Sequence, residues 1–555
     1  MGGIEAGKGT DFLMPFSRTP ISTIDLSGAE IVSYYPKGRY AIVSYGGNTL
    51  EIVRYQRGFK NPQIAGSIAL PGNAQSVDVN KNGLIAAAVS INDSNDGKVV
   101  FYEIKGKRVI SRGSVDVGNL PDSIDFNADG TVLVTADEGE PNRFYGTEDG
   151  VDPEGSISII EVNRKQPGNS KATTLKFNQY STEELRNAGL RISGVNPTPG
   201  RDLEPEYASI DSSSNTAYVS LQENNGIAVV DLAKKQIKKF FSLGFKNWSN
   251  GSVDTTDQDE VYAPGPRNFM GLRMADGITT VRIKEKTYVL TANEGDGRVR
   301  PDEVNFEAEG VDGTVYSYGT NEEPGFISQI EDELSGEDIY IYSEAGIGNA
   351  GNFEADQGDE FFITLKYGAS SDDDYYSDEV RAGKLSDGDE FLINDANEGR
   401  LKTIKDQNDS ITGIKGFGGR SFSIFTEDGE LVFDSGDALD RNAASAGYYD
   451  DSRSDDKSVE PEGIVVGRVG KKVIAFVGLE RTFNQSNPDE IGSMIQVYDI
   501  TDPGNATYAG YLTSESSLSP EGLAWVPGKR KGGTLLAANE ETGTLDAFRI
   551  TPNMF

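Results

Sequence analysis

Short runs rich in Val, Ile, Leu and Tyr recur along the chain, and turns containing Gly, Pro and Asn separate them. This pattern is typical of β-strands joined by hairpins. Helical periodicity is almost absent. The best helix candidate is residues 181–191, with Thr182 as its predicted N-cap. The pattern therefore predicts an all-β chain.

One unit recurs seven times along the chain. A small residue or proline followed by an acidic or amide residue opens an apolar strand; a turn and a second strand ending in acidic residues follow, and then a third strand. The units open at Ala29-Glu30, Ala74-Gln75, Pro121-Asp122, Pro205-Glu206, Ala275-Asp276, Pro461-Glu462 and Pro520-Glu521. Such repetition predicts a seven-bladed β-propeller, because the coils of a β-helix would be shorter and more regular.

Two segments depart from the repeat. Residues 21–26 have no partner of their own, and we expect them to add an outer strand beside residues 544–550 of the last blade, which would close the ring. The third strand of blade five is missing after Asp296 and reappears at residues 421–425, so residues 297–420 are predicted to form a long insertion that acts as a lid or subdomain. The predicted organisation is an N-terminal extension (1–20), the propeller (21–550) and a C-terminal tail (551–555).

The composition excludes several classes of chemistry. The 555 residues include 88 acidic and 52 basic side chains, for a net charge of −36, which disfavours binding to nucleic acid. There is no histidine and no cysteine, which excludes catalytic triads, thiol catalysis, disulfides and zinc sites built on these residues. No apolar run reaches membrane-spanning length and no signal peptide is visible, so we expect no membrane insertion.

The repeat predicts where the acidic residues meet. In a propeller, the start of the first strand lies beside the end of the second, so both acidic sets should surround one mouth of the central channel. Oxygen ligands favour hard cations, so we predict Ca²⁺, with Fe³⁺ or Mg²⁺ as a second metal. The predicted metal ligands are Glu30, Asp122, Glu138, Glu204, Glu206, Asp276, Glu294, Asp296, Glu460, Glu462, Glu480, Glu521 and Glu540. The alternative is that such acidic residues bond backbone amides of the next blade and are purely structural.

The motifs resemble a known family. The pieces NLPDSIDFNADGTVLVTADEGEPN, RDLEPEYASI, TYVLTANEGDGR, EPEGIVVG and SPEGLAW look like the choice-of-anchor I domain, over about residues 21–550. The resemblance implies an extracellular or surface-attached β-propeller, and many bacterial members carry the label alkaline phosphatase. The chain is also similar, more loosely, to calcium-dependent propeller phosphatases. Some of those use a cysteine near iron, which this chain lacks.

Two functions remain open at this point. The first is a metal-dependent phosphoester hydrolase, with a small phosphoester as substrate and with Arg481 and Arg298 as catalytic clamps on the phosphate oxygens. The second is a non-catalytic surface propeller that binds a protein or polysaccharide, with calcium holding the fold rigid.

Overall fold

The computed structural model describes residues 16–92, 94–142, 150–194, 197–257, 259–298, 378–382, 400–404, 413–483, 492–529 and 531–555. It also gives the backbone of five short strands: Asn305–Glu309, Val315–Gly319, Ile327–Glu331, Asp338–Tyr342 and Thr364–Leu365. The chain is all-β, and most of its sheets contain four strands.

Within the described residues, seven sheets follow one plan of antiparallel strands joined in chain order. Sheet 1 contains Ile31–Tyr35, Tyr40–Ser44, Thr49–Arg54 and Gln63–Ala69, and sheet 2 contains Asn73–Val79, Leu84–Ser90, Asp96–Lys105 and Arg108–Asn119. Sheet 3 contains Pro121–Phe126, Val132–Asp137, Ser156–Glu161 and Lys171–Lys176. Sheet 4 contains Pro205–Ile210, Thr216–Leu221, Gly226–Asp231 and Gln236–Ser242. Sheet 5 contains Ile278–Ile283, Lys286–Asn293, Ser421–Thr426 and Leu431–Asp434. Sheet 6 contains Pro461–Val469, Lys472–Leu479, Ser493–Asp499 and Thr507–Ser514. Sheet 7 contains Pro520–Pro527, Gly533–Asn539 and Thr544–Ile550.

The first strands of these sheets contact one another in chain order, and the first strand of sheet 7 contacts that of sheet 1. Each pair of neighbouring sheets encloses its own apolar cluster. Val134 and Ile157 of sheet 3, for example, pack with Val219 and Ala228 of sheet 4. Burying one such side chain contributes about 1.5–3 kcal/mol, so the faces between sheets supply most of the stabilisation.

Two strands near the N-terminus pair with strands from the C-terminal part of the chain. Ser22–Asp25 pairs antiparallel with Thr544–Ile550, which is the closing strand that the sequence predicted. Phe16–Arg18 pairs parallel with Thr507–Ser514 and so adds an edge strand to sheet 6. The last part of the predicted N-terminal extension is therefore in a sheet. Its three-residue pairing carries too little periodicity to be recognised from sequence.

Sheet 5 joins segments that are far apart in sequence. Lys286–Asn293 pairs with Ser421–Thr426, and Asn293 and Ser421 are 128 positions apart. Most of the residues between them, including most of the predicted insertion, lie outside the described residues. A side sheet next to sheet 5 contains Phe245–Asn247, Met270–Leu272, Lys415–Gly416, Lys402–Ile404 and Glu379–Arg381.

Helices are few and short in the described part of the chain. The α-helices are Thr182–Asn187, Pro199–Asp202 and Ala438–Ala446, and the 3₁₀ turns are Pro167–Asn169, Trp248–Asn250, Asp451–Arg453, Pro503–Asn505 and Pro552–Met554. The first helix lies where the sequence predicted one, but its N-cap is Ser181 and not Thr182. Ser181 accepts from the Glu184 N–H, and Glu184 accepts from the Ser181 N–H, a reciprocal capping box. None of the described helices has the length and apolar character needed to cross a membrane.

Candidate metal site

The acidic residue at the start of the first strand lies in a break of the strand pairing. In sheet 6, Pro461 is opposite Leu479, and the next paired residue is Ile464, so Glu462 falls inside the irregularity. Sheets 3, 4 and 7 have the same break at Asp122, Glu206 and Glu521. A proline suits the position before the break because it has no N–H to place in the ladder.

The backbone turns sharply just before these positions. Leu120, Met274, Glu460 and Ser519, each two residues before an acidic residue, have left-handed φ angles of 43°, 43°, 47° and 56°. Such a conformation is costly for a residue with a Cβ and is kept only where the surrounding structure enforces it.

Glycines after the acidic residues let neighbouring first strands approach closely. A Cβ on Gly463 would overlap the carbonyl oxygen of Glu521, and one on Gly522 would overlap that of Glu30. Gly277 has the same relation to the Glu462 carbonyl. The glycine positions therefore bring the acidic residues of consecutive sheets side by side.

These residues surround a cavity of about 260 Å³. All of the predicted metal ligands except Glu540 line it, and so do Arg298 and Arg481. Glu540, which follows the second strand of sheet 7, is exposed and outside the lining. Further lining side chains include Gln75, Glu140, Gln222 and Glu223. Gln75 takes in sheet 2 the position that carboxylates take in the other sheets.

The second strands end in a pair of residues with different roles. In sheet 3, Asp137 is fully buried and accepts hydrogen bonds from Thr135, Ser156, Ser158 and the Gly118 N–H. The next residue along the chain, Glu138, lines the cavity. Sheet 5 repeats this arrangement: Asn293 donates to Ser421 and Ser423, while Glu294 lines the cavity.

Two acidic side chains within first strands bond backbone amides of the neighbouring sheet. Asp78 accepts from the Phe126 N–H at 2.9 Å, and Asp125 accepts from the Ile210 N–H at 2.7 Å. Both lie within first strands, beyond the break, and neither lines the cavity. These two bonds to backbone amides are thus made by carboxylates within the first strands and not by those that line the cavity.

Three groups of carboxylates in the described residues are close enough to share a metal ion. In each group, one oxygen per residue lies within 4.8 Å of the others. The groups are Asp122, Glu138 and Glu206; Asp276, Glu294 and Glu462; and Glu294, Glu460 and Glu480. An all-oxygen donor set at this spacing suits calcium and other hard cations.

Protein cations neutralise one side of the cavity. Lys457 Nζ lies 2.8 Å from Glu294 Oε1 and 3.5 Å from Glu460 Oε2. Arg453 Nη2 lies 2.7 Å from Glu460 Oε1, and Arg481 Nη2 lies 2.9 Å from Glu480 Oε1. Lys457 is not among the residues predicted from the sequence, although its place three residues before Glu460 in an acidic stretch is a usable signal.

The two predicted clamp arginines differ in their surroundings. Arg298 has a side chain only 1% exposed, pairs with Glu204 and donates to the Asp202 carbonyl at 2.9 Å. Arg481 is 37% exposed at the cavity edge. Arg298 is therefore engaged inside the protein, whereas Arg481 can be reached from solvent.

The other side of the cavity has no such neutralisation. Among the described residues, no Lys or Arg forms an ion pair with Asp122, Glu138 or Glu206. Burial raises the pKa of Asp122 to about 7. Burial raises the pKa of Glu138 well above its usual range, and the neighbouring carboxylates of Glu140 and Asp122 raise it further. Burial likewise raises the pKa of Glu206 well above its usual range, and the carboxylates of Glu138 and Glu223 add to this shift.

Glu223 adds an unsatisfied oxygen to this side. Its side chain is 4% exposed and lines the cavity, and its Oε2 has no hydrogen-bond partner. Burial is the main cause of a pKa well above the usual range for this carboxyl. A buried carboxylate oxygen without a donor costs stability unless a proton or a cation reaches it.

A piece of the predicted insertion contacts the same region. Asp378 is 1% exposed; its Oδ2 accepts from Arg191 at 2.7 Å, and its Oδ1 accepts from the Arg298 N–H at 3.0 Å. A Cβ on Gly297 would lie 3.0 Å from Asp378 Oδ1. This segment is thus packed against the residues that follow Asp296.

Solved structures give only distant likenesses. Hydrazine synthase of Kuenenia stuttgartiensis aligns with a TM-score of 0.43 at 12% identity, over 95% of this chain and 97% of that chain. The Cps50 (Swd1) β-propeller domain of Myceliophteria thermophila gives 0.42 at 8% identity, over 96% and 99%. Sqt1 of Saccharomyces cerevisiae gives 0.42 at 8%, over 97% and 100%. Such low scores transfer no functional property.

A search among curated proteins gives no significant match. The family model of the choice-of-anchor I domain matches residues 30–333 and 349–503, which is most of the chain. The motifs quoted above from Pro121, Pro205 and Pro461 onward fall within this match. The chain therefore belongs to the choice-of-anchor I domain family.

Proposed function

We propose that this chain is an exported or surface-attached seven-bladed β-propeller that binds calcium in the cavity at one mouth of its central channel. Support for seven blades comes from the seven sheets whose first strands contact one another in a closed order. Membership of a choice-of-anchor family supports a place at the cell surface or outside the cell.

The observation that carries the calcium proposal is the group of Asp122, Glu138 and Glu206. Their oxygens approach within 4.8 Å, yet no described cation compensates them. Calcium takes six to eight oxygen ligands, and Glu223 offers another buried oxygen to the same cavity. In this proposal these four residues hold the cation, and the cation links two neighbouring sheets, 3 and 4.

Calcium titration into chelator-stripped protein tests this directly. We expect the wild type to bind calcium and to gain thermal stability from it, because a ligand of the native state alone stabilises that state. The double variant Asp122→Asn, Glu206→Gln should bind at least tenfold more weakly, whereas the control Glu183→Gln, on the exposed face of the first helix, should bind normally. Equal binding by the double variant and the wild type would contradict the proposal.

In the surface role, the loops of the propeller would form a rigid ring that binds a protein or polysaccharide partner. Calcium would then serve the fold rather than a reaction. The expected readout is partner capture that depends on calcium, together with no hydrolysis of phosphoesters.

Phosphoester hydrolysis is a second candidate, and the exposure of Arg481 at the cavity edge favours it. A bound divalent cation would supply positive charge for phosphate oxygens and would acidify a water molecule. The cavity lining is strongly acidic, so an anionic substrate would be repelled until cations are bound. Hydrolysis of a chromogenic phosphomonoester and a phosphodiester at alkaline pH, with and without calcium, Mg²⁺ or Fe³⁺, separates the two candidates.

A further inference from the structure

We propose that Lys457 is a built-in counter-ion that keeps metal ions out of the Glu294 side of the cavity, so that its removal creates a second calcium site. This inference rests on the calcium site proposed above. It concerns the two metal-sized carboxylate groups that share Glu294.

The Lys457 ammonium lies where a metal ion would bind. Its Nζ is 2.8 Å from Glu294 Oε1, 3.5 Å from Glu460 Oε2 and 3.7 Å from Asp296 Oδ1. Calcium–oxygen distances are about 2.3–2.6 Å, so a cation among these oxygens would overlap the ammonium group. Lys457 and a calcium ion therefore exclude each other.

Both oxygens of the shared ligand, Glu294, already accept a hydrogen bond. Lys457 donates to Oε1, and the Gln222 side-chain amide donates to Oε2 at 3.0 Å. The carboxylates of Asp122, Glu138 and Glu206 receive no hydrogen bond from a described side chain. The group of Glu294, Glu460 and Glu480 thus has cationic donors in place, whereas the group of Asp122, Glu138 and Glu206 has none among the described side chains.

The local fold holds Lys457 in this position. Its side chain is 3% exposed, and the preceding residue, Asp456, pairs with Arg453 at 2.8 Å and with Lys402 at 3.2 Å. The Ser458 N–H donates to the Arg453 carbonyl at 2.9 Å. A buried ammonium is costly unless carboxylates surround it, as they do here. Lys457 is thus held between the carboxylates of Glu294 and Glu460.

The experiment compares calcium stoichiometry in the wild type, Lys457→Met and Lys457→Arg by equilibrium dialysis of the full chain. We expect Lys457→Met to bind one calcium ion more per chain than the wild type, because Glu294, Glu460 and Glu480 lose a counter-ion. Lys457→Arg keeps the charge and should bind the same number as the wild type. Equal stoichiometry in the wild type and a folded Lys457→Met would overturn the proposal.

A Lys457→Met variant that fails to fold without calcium also tests the proposal. If that variant and Lys457→Gln unfold without calcium and refold with it, calcium has replaced the ammonium, which supports the proposal. If both stay unfolded in calcium, the proposal is wrong. The wild-type stoichiometry reports on the proposed calcium site, whereas the difference between variant and wild type reports on Lys457, so the two failures are distinguishable.

Discussion

Asp137 and Glu138 are adjacent in the chain, but their carboxylates lie in opposite environments. Asp137 faces the third strand of its own sheet and accepts four hydrogen bonds from Thr135, Ser156, Ser158 and the Gly118 N–H. Glu138 lines the cavity and has an oxygen within 4.8 Å of those of Asp122 and Glu206. One strand end thus supplies a structural carboxylate and a candidate ligand.

This pair gives a matched test of the two roles. Asp137→Asn should lower the free energy of unfolding by roughly 1–3 kcal/mol, because a carboxylate that accepts four donors becomes an amide that cannot satisfy them all. Glu138→Gln should weaken calcium binding and should not lower the stability of the calcium-free protein. Chemical denaturation and calcium titration of both variants give the answer. The reverse result, with calcium binding lost only in Asp137→Asn, would contradict the assignment.

The cavity carboxyls predict an unusual pH dependence of stability. Burial is the largest cause that raises the pKa of Glu30 to about 8, of Asp122 to about 7 and of Glu480 to about 8. The folded state therefore binds more protons than the unfolded state between about pH 4 and 8, and stability falls as pH rises through this window. We expect the melting temperature of chelator-treated protein to drop from pH 5 to pH 9.

Calcium should reduce this pH dependence. It would replace the protons on the cavity carboxylates, and its binding near pH 6 should release protons into the buffer. Thermal scans with chelator and with calcium at each pH measure the effect. A chelator-treated protein whose melting temperature rises over the same pH range would contradict the account.

The close approach of neighbouring sheets predicts an intolerant glycine. Gly463→Ala should destabilise the protein by at least about 1–3 kcal/mol, because the new Cβ overlaps the Glu521 carbonyl oxygen and must force the two first strands apart. Gly504→Ala is the control, since its Cβ would meet only Val432 at 3.9 Å. Urea denaturation of both variants measures the difference. Similar stabilities for the two variants would show that the strands can separate at little cost.

Much of the fold follows from local patterns in the sequence. Each first strand opens with the same short motif, so the acidic residues could be placed at one end of the sheets before any coordinates. The strand Ser22–Asp25 was predicted because it is apolar and has no neighbour of its own in sequence, and it pairs with Thr544–Ile550. The same logic identified Ser421–Thr426 as the partner of Lys286–Asn293.

The division of roles among the carboxylates could not be predicted in the same way. Asp137 and Glu138 look alike in sequence, and only the register against Ser156 and Ser158 separates them. Glu540 follows the pattern of Glu138 but lies outside the cavity lining. Lys457 reaches the cavity from a loop that follows a 3₁₀ turn, so its contact with Glu294 depends on long-range packing.

The most direct test of the account is a crystal structure of the protein in calcium, with anomalous diffraction to locate the ion. We predict an anomalous peak that marks a calcium ion bound by Asp122, Glu138 and Glu206, with Lys457 still paired to Glu294. A cavity without a peak at saturating calcium, or a peak only between Glu294, Glu460 and Glu480, would contradict it.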